Sequence, residues 1–220
     1  PTSIKNSIKI ITDSNYVKQD IVSTYGVSDT KIEVVYAAPS EKFKNKNLHK
    51  EKIILTVSSI DPRKNLERAI KAFNGLDSEY KLVIVGQKNK TFSKVGFNST
   101  DLSKNVIFTG YLSDEKLIDL YNRSELFIYA SLFEGFGIPP LEAQACGCAC
   151  IISNATSLPE VYKTSVEYFD PNSIDSITTK LKEVLNNKNR IRELQEKSAI
   201  NFKRFKWDKS TNKLISIIEK

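Results

Sequence analysis

Short, uninterrupted apolar runs alternate with segments of helical period along almost the whole chain. The runs are S-I-K-I-I-T (7–12), I-E-V-V-Y (32–36), K-I-I-L-T-V-S (52–58) and Y-K-L-V-I-V (80–85). After them come N-V-I-F-T (105–109), E-L-F-I-Y-A (125–130), A-C-I-I-S (149–153) and V-E-Y-F (166–169). A strand apolar on both sides has to be covered on both faces. Strands joined through helices run parallel. The pattern predicts an α/β fold with a doubly wound, Rossmann-like parallel sheet. Helices are expected from Asp13 or Ser14 to Tyr25, stopped by Gly26, then at 64–74, 113–122 and Pro140–Cys146. A short turn at Pro159–Tyr162 and helices at 173–187, 189–204 and 207–219 complete the set.

The strand–helix–strand at 1–38 is too short to be a domain. It reads either as an edge of the main sheet or as the tail of a preceding domain. The polar stretch P-S-E-K-F-K-N-K-N-L-H-K (39–50) reads as a linker. With 220 residues the chain fits one large domain, or one domain plus a fragment. No apolar run approaches the ~20 residues needed to span a membrane, and no leader reads as a signal peptide.

Cys146, Cys148 and Cys150 lie too close for a disulfide framework and lack the spacing of zinc pairs. They are expected as buried thiols in a reducing, cytoplasmic setting. The net charge of +7 is spread without a dense basic block or aromatic–basic interleaving, which disfavours nucleic acid. It suits weak peripheral contact with anionic lipid heads at the inner membrane surface.

Ligands of open α/β sheets bind beyond the carboxyl ends of strands. E-G-F-G-I-P-P-L-E (134–142) lies at such an end, with Glu142 expected in the first turn of a helix. A loop leading into a helix start offers backbone N–H groups and partial positive charge to an anion. The flanking carboxylates of Glu134 and Glu142 suit sugar hydroxyls, so phosphates plus sugar rings are the expected ligand chemistry. S-S-I-D-P-R-K-N (58–65) places Arg63 and Lys64 where a helix begins, so two cations and a helix N-terminus face one diphosphate; the alternative is a solvated first turn. In T-G-Y-L-S-D-E (109–115), Tyr111 either stacks on a base or packs on the next helix, which Ser113 caps. G-Q-K (86–88) is a weak signal. In S-N-A-T-S-L-P-E (153–160), Thr156 or Ser157 would cap the next turn, and Glu160 either helps close the site or forms a salt bridge. The G-x-G-x-x-G, P-loop and G-x-S-x-G patterns are absent, which disfavours nicotinamide cofactors, P-loop chemistry and a hydrolase elbow.

D-P-R-K-N-L-E-R-A-I-K-A-F, V-I-F-T-G-Y-L-S-D-E-K-L, E-G-F-G-I-P-P-L-E-A-Q-A-C-G and S-N-A-T-S-L-P-E-V, in this order and spacing, resemble the C-terminal, donor-binding half of family 4 retaining glycosyltransferases. That family has the GT-B fold, two Rossmann-like domains facing a cleft. The likeness covers about residues 50–220, and F-K-W-D-K-S-T-N-K-L resembles the family's last helix. It implies that Arg63 and Lys64 neutralise the donor diphosphate and that Glu134 faces the transferred sugar at the reacting centre. The backbone of Phe136, Gly137 and Ile138 would contact sugar and phosphates, and Glu142 the ribose hydroxyls. Many members carry Gly-Arg where this chain has Ser58-Ser59, which shifts phosphate charge onto Arg63 and Lys64. The N-terminal segment resembles the last strand–helix–strand of the acceptor domain. The implied division is 1–48, remnant plus linker, and 49–220, nucleotide-sugar-binding domain. The rest of that first domain, or a partner subunit, is the expected complement.

The implied reaction is hexosyl transfer with retention from a nucleoside diphosphate sugar, with GDP-mannose as first choice, to a saccharide or lipid-linked acceptor, without a cofactor or metal. A non-catalytic sugar-nucleotide-binding subunit and a sugar-nucleotide epimerase are the alternatives.

Overall fold

The computed structural model describes residues 2–59, 61–86 and 103–219. The chain begins with a short helix α1 (Thr2–Asn6), which sequence periodicity does not announce, and continues through β1 (Ile10–Thr12), α2 (Asn15–Tyr25) and β2 (Ile32–Val34). β1 and β2 pair in parallel as a sheet of their own. The segment is therefore not an edge of the main sheet. Both strands are shorter than their apolar runs. α2 starts at Ser14, whose hydroxyl accepts from Val17 N–H, and stops at Gly26 in the left-handed region.

The main sheet holds β3 (Glu51–Val57), β4 (Lys81–Val85), β5 (Val106–Gly110), β6 (Ser124–Tyr129), β7 (Ala149–Ser153) and β8 (Glu167–Phe169). All neighbours are parallel, in the order β5-β4-β3-β6-β7-β8. This is the doubly wound Rossmann order, and strand order reverses between β3 and β6.

Alternate residues of the central strands feed two cores. Leu55, Val83, Phe127, Cys150 and Ile152 face α4 (Asp114–Arg123) and α5 (Ile138–Ala145). Ile54, Leu82, Ile84, Leu126 and Ile151 face α3 (Leu66–Asn74), α7 (Ile174–Leu185) and α8 (Lys188–Asn201). The short α6 (Leu158–Tyr162) and the last helix α9 (Trp207–Ile218) complete the chain, and a 3-10 turn at Phe202–Arg204 ends the run expected as one helix over 189–204. The three thiols are free and buried, as expected, and burial pushes Cys146 up to about 12 and Cys148 to about 11, so both stay protonated.

The 39–50 stretch is not a free linker. Phe43 is buried, Asn122 accepts from Lys46 N–H at 2.6 Å, and the Asn122 amide donates to Lys44 O at 3.0 Å. Asn122 itself is buried on α4, and these bonds satisfy its own buried amide. Among the described residues no helix is long and apolar enough to cross a membrane. Of the stretch 87–104, which reads in the sequence as a loop or irregular piece, residues 87–102 lie outside the described residues, and so do Gln87 and Lys88 of G-Q-K.

Candidate donor site at the strand switch point

The loops after β3 and β6 flank the point where strand order reverses. They are tied together by Leu132 N–H donating to Arg63 O at 2.8 Å, by the Arg63 guanidinium donating to Phe133 O at 2.9 Å, and by the Asn65 amide donating to Ala130 O at 3.0 Å.

Arg63 and Lys64 do not stand in the first turn of α3. They occupy a 3-10 turn, Pro62–Lys64, opened by Asp61, whose carboxylate accepts from Arg63 N–H. Asn65 then adopts left-handed backbone (φ 56°) and breaks the turn from α3. Asn tolerates this region because its short polar side chain compensates locally. Here it is buried and also donates to Pro171 O at 2.7 Å. Gly86 closes the floor: a β-carbon there would lie 2.0 Å from Ser58 O. Only glycine allows that approach.

Both cations turn toward Glu134. Lys64 Nζ lies 2.6 Å from Oε1 and Arg63 Nη1 3.4 Å from Oε2, and the Tyr129 hydroxyl donates to Oε1 at 2.8 Å. Lys64 also donates to the Tyr129 oxygen at 3.1 Å. Glu134 is buried and Lys64 mostly covered, whereas Arg63 is 43% exposed. Burial, then the Glu134 charge, raises the Tyr129 phenol well above its usual value, so it remains a donor. The trio of Arg63, Lys64 and Glu134 carries one formal positive charge, and the Asp13 carboxylate lies against Gly135 of the same loop.

Thr156 and Ser157 do not act as helix caps. Thr156 Oγ1 accepts from Glu134 N–H, and both hydroxyls donate to Glu134 O, at 3.0 and 2.9 Å. The expected cap hydrogen bond from Ser113 is also absent from α4. Gly137, at φ 86°, is the N-cap of α5, and its carbonyl accepts from the buried Tyr162 hydroxyl. Pro139 and Pro140 have no N–H, so Gly137 and Ile138 supply the donors of this helix start. Phe136 is buried in the core, which leaves only its backbone to face a ligand.

Because α5 begins at Ile138, Glu142 lies beyond its first turn. It accepts from Tyr121 OH at 3.1 Å. Burial pushes its carboxyl up to about 7, with the Tyr121 bond pulling down and Asp114 pushing further up. The folded value lies above the unfolded value near 4.5, so ionised Glu142 weakens the fold. That penalty grows as pH rises from about 4.5 and is complete above about 7. Glu142→Gln is expected to gain up to about 3 kcal/mol over the parent above neutrality and nothing in mild acid. Denaturant titrations at two pH values check this, and a pH-independent difference would contradict it.

Tyr111 is 78% exposed, so it does not pack on α4. Glu160 makes no salt bridge among the described residues. It accepts from Asn15 N–H, Tyr16 N–H and Tyr36 OH, capping α2 from α6. Burial alone would raise its carboxyl, but these hydrogen bonds outweigh it and hold it below the ordinary value. A cavity of about 810 Å³ lies elsewhere, between the 39–50 stretch, the end of α8 and Trp207. Its lining includes none of Arg63, Lys64, Glu134, Gly137 and Glu142.

Sequence reasoning missed Asn65, Tyr129 and the roles of Thr156 and Ser157. The available signals were an Asn just before an apolar helix start and a Tyr at the end of a buried strand.

A family model described as "Glycosyl transferases group 1" matches residues 38–204. The serotype-specific mannosyltransferase WbdA of Escherichia coli is 35% identical over 179 residues, which is 76% of this chain and 22% of WbdA. The O-antigen chain mannosyltransferase RfbU of Salmonella typhimurium is 30% identical over 184 residues, 83% of this chain and 52% of RfbU. The chain thus spans from about a fifth to about half of these relatives' length. Among solved structures, Anabaena Alr3699/HepE in complex with UDP and glucose superposes with a TM-score of 0.87 at 15% identity, covering 99% of this chain and 64% of that one.

Proposed function

The chain belongs to the group 1 glycosyl transferases, and from that premise we propose that it is the donor-binding part of a retaining hexosyltransferase. The observation that carries the reading is the Arg63–Lys64–Glu134 cluster at the strand switch point, beside the start of α5. A nucleoside diphosphate sugar would set its diphosphate against Arg63, Lys64 and the Gly137 and Ile138 N–H groups. As the bond from the sugar to the diphosphate breaks, negative charge grows on the leaving group, and these fixed donors stabilise it. Arg63 is the more exposed of the two cations and its contact with Glu134 the longer. Lys64 and Tyr129 keep Glu134 in place to meet sugar hydroxyls. Glu142 is assigned to the ribose and Tyr111 to the base. Mannose, delivered as GDP-mannose, is the preferred sugar because WbdA and RfbU are both named mannosyltransferases. The acceptor is a saccharide or lipid-linked glycan.

Calorimetry of the chain with GDP, UDP and dTDP tests this. One diphosphate is expected to bind, and binding to none would sink the reading. Arg63→Ala is then expected to weaken the diphosphate about 10–100-fold while leaving the nucleoside unchanged, the range for a charge-assisted hydrogen bond. Equal loss for both ligands would make Arg63 a structural residue.

A further inference from the structure

Asp13 has no task in the reading above. It lies between β1 and α2, beside the α2 cap Ser14, and its side chain reaches across to the loop after β6. A β-carbon built on Gly135 would lie 2.8 Å from Asp13 Oδ2 and 3.1 Å from Oδ1. Gly135 lacks positive φ, so the close approach of Asp13 is what its missing side chain accommodates.

The approach is fixed from both sides. Glu160 holds the first N–H groups of α2, the Tyr16 ring meets Phe133 edge-on at 6.0 Å, and Tyr36 packs on Phe136 at 6.0 Å. Yet the Asp13 carboxylate has no cation and no hydrogen-bond donor from another described residue. Partial burial raises its carboxyl above the ordinary value; its own backbone N–H pulls down, and the charges of Glu160 and Glu134 push further up. A partly buried, unpaired carboxylate beside two others is a net cost to the folded chain. A ligand that donates hydrogen bonds would offset that cost. The group proposed to meet the neighbouring Glu134 is a hexosyl group, whose hydroxyls are such donors.

We propose that Asp13 is a specificity-determining residue that accepts hydrogen bonds from hydroxyls of the hexosyl group held beside Glu134. Sugar choice is then shared between the N-terminal strand–helix–strand and the main sheet. This rests on the donor-site reading and deepens it. A site built to hydrogen-bond a hydroxyl rejects an epimer or deoxy analogue that fails to supply it.

The test titrates the parent chain, Asp13→Ala and Asp13→Asn with whichever of GDP, UDP and dTDP binds, and with the matching nucleoside diphosphate hexoses, two of them epimers. Asp13→Ala is expected to weaken the preferred sugar nucleotide about 10–100-fold and the bare diphosphate less than about twofold. Preference between the epimers collapses with it. Asp13→Asn, which keeps an acceptor oxygen, loses less. Thermal unfolding of Asp13→Ala is expected at or above the parent midpoint, which separates lost contact from lost fold. Equal weakening of sugar nucleotide and bare diphosphate, or no change in either, overturns the proposal. A parent chain that binds no diphosphate overturns the donor-site reading itself, and this proposal with it.

Discussion

Glu134→Ala is expected to lower folding stability by about 3–5 kcal/mol, the usual cost of removing one partner of a buried ion pair. Lys64 Nζ lies 2.6 Å from the carboxylate, and the two side chains are 14% and 9% exposed. Without Glu134 the ammonium keeps only the Tyr129 hydroxyl and the Tyr129 donor loses its acceptor. Arg63 also loses the charge that offsets its repulsion of Lys64. Much of the loss is therefore the cost of stranding Lys64 rather than the net worth of the pair. Glu134→Gln combined with Lys64→Met removes both charges at similar volume, and is expected to recover most of the stability. Urea titrations with unchanged m-values measure each step. A single-variant loss below about 1 kcal/mol would mean the cluster is solvated in solution. A double variant no better than the single would place the cost outside the ion pair.

The sheet was largely legible because the central strands β4, β6 and β7 are buried on both faces. A continuous apolar run such as A-C-I-I-S over 149–153 leaves little freedom in where β7 begins and ends. Strand order was not legible. Pairing β3 with both β4 and β6 is a long-range choice that no local period records. The juxtaposition of Arg63 and Lys64 with Glu134 was expected from the carboxyl ends of strands and from family resemblance. Its form, two cations sharing one buried carboxylate, depends on the reversal between β3 and β6.

What sequence could not supply is mostly side-chain-to-backbone bonding across long separations. Asn65 to Pro171 O, Thr156 and Ser157 to the Glu134 backbone, and Glu160 to the start of α2 have no periodic signature. The 39–50 stretch misled for the same reason: its polar composition describes a solvated segment, but Asn122 and Phe43 pin it to the main unit. Arg63 and Lys64 looked like a first helical turn because the left-handed break at Asn65 costs one residue and leaves the helical period almost intact.

Gly137→Ala is expected to cost about 2–5 kcal/mol and to remove diphosphate affinity along with it. Its effect combines two separable penalties. At φ 86° an alanine incurs about 1–2 kcal/mol of left-handed strain. Its β-carbon would also lie 2.8 Å from Leu158 Cδ2 and 3.6 Å from Tyr129 Cε1, an overpacking typically worth about 1–3 kcal/mol. Leu158 is fully buried and Tyr162 grips the Gly137 carbonyl, so the Leu158 methyl has to shift inside a packed core or the loop has to move. Movement there shifts the Ile138 N–H, which is assigned to the diphosphate, together with the Tyr129 end of the Glu134 cluster. Two other glycines isolate the terms. Gly26, at φ 64° with nothing within 4 Å of a built β-carbon, reports backbone strain alone. Gly135, without positive φ, meets the Asp13 carboxylate first, and its alanine variant should be relieved by Asp13→Ala. If Gly137→Ala costs no more than Gly26→Ala in chemical unfolding, the Leu158 contact relaxes freely and the loop is softer than its packing implies. If it costs the sum of both penalties yet still binds the diphosphate, the α5 start is not where that ligand sits.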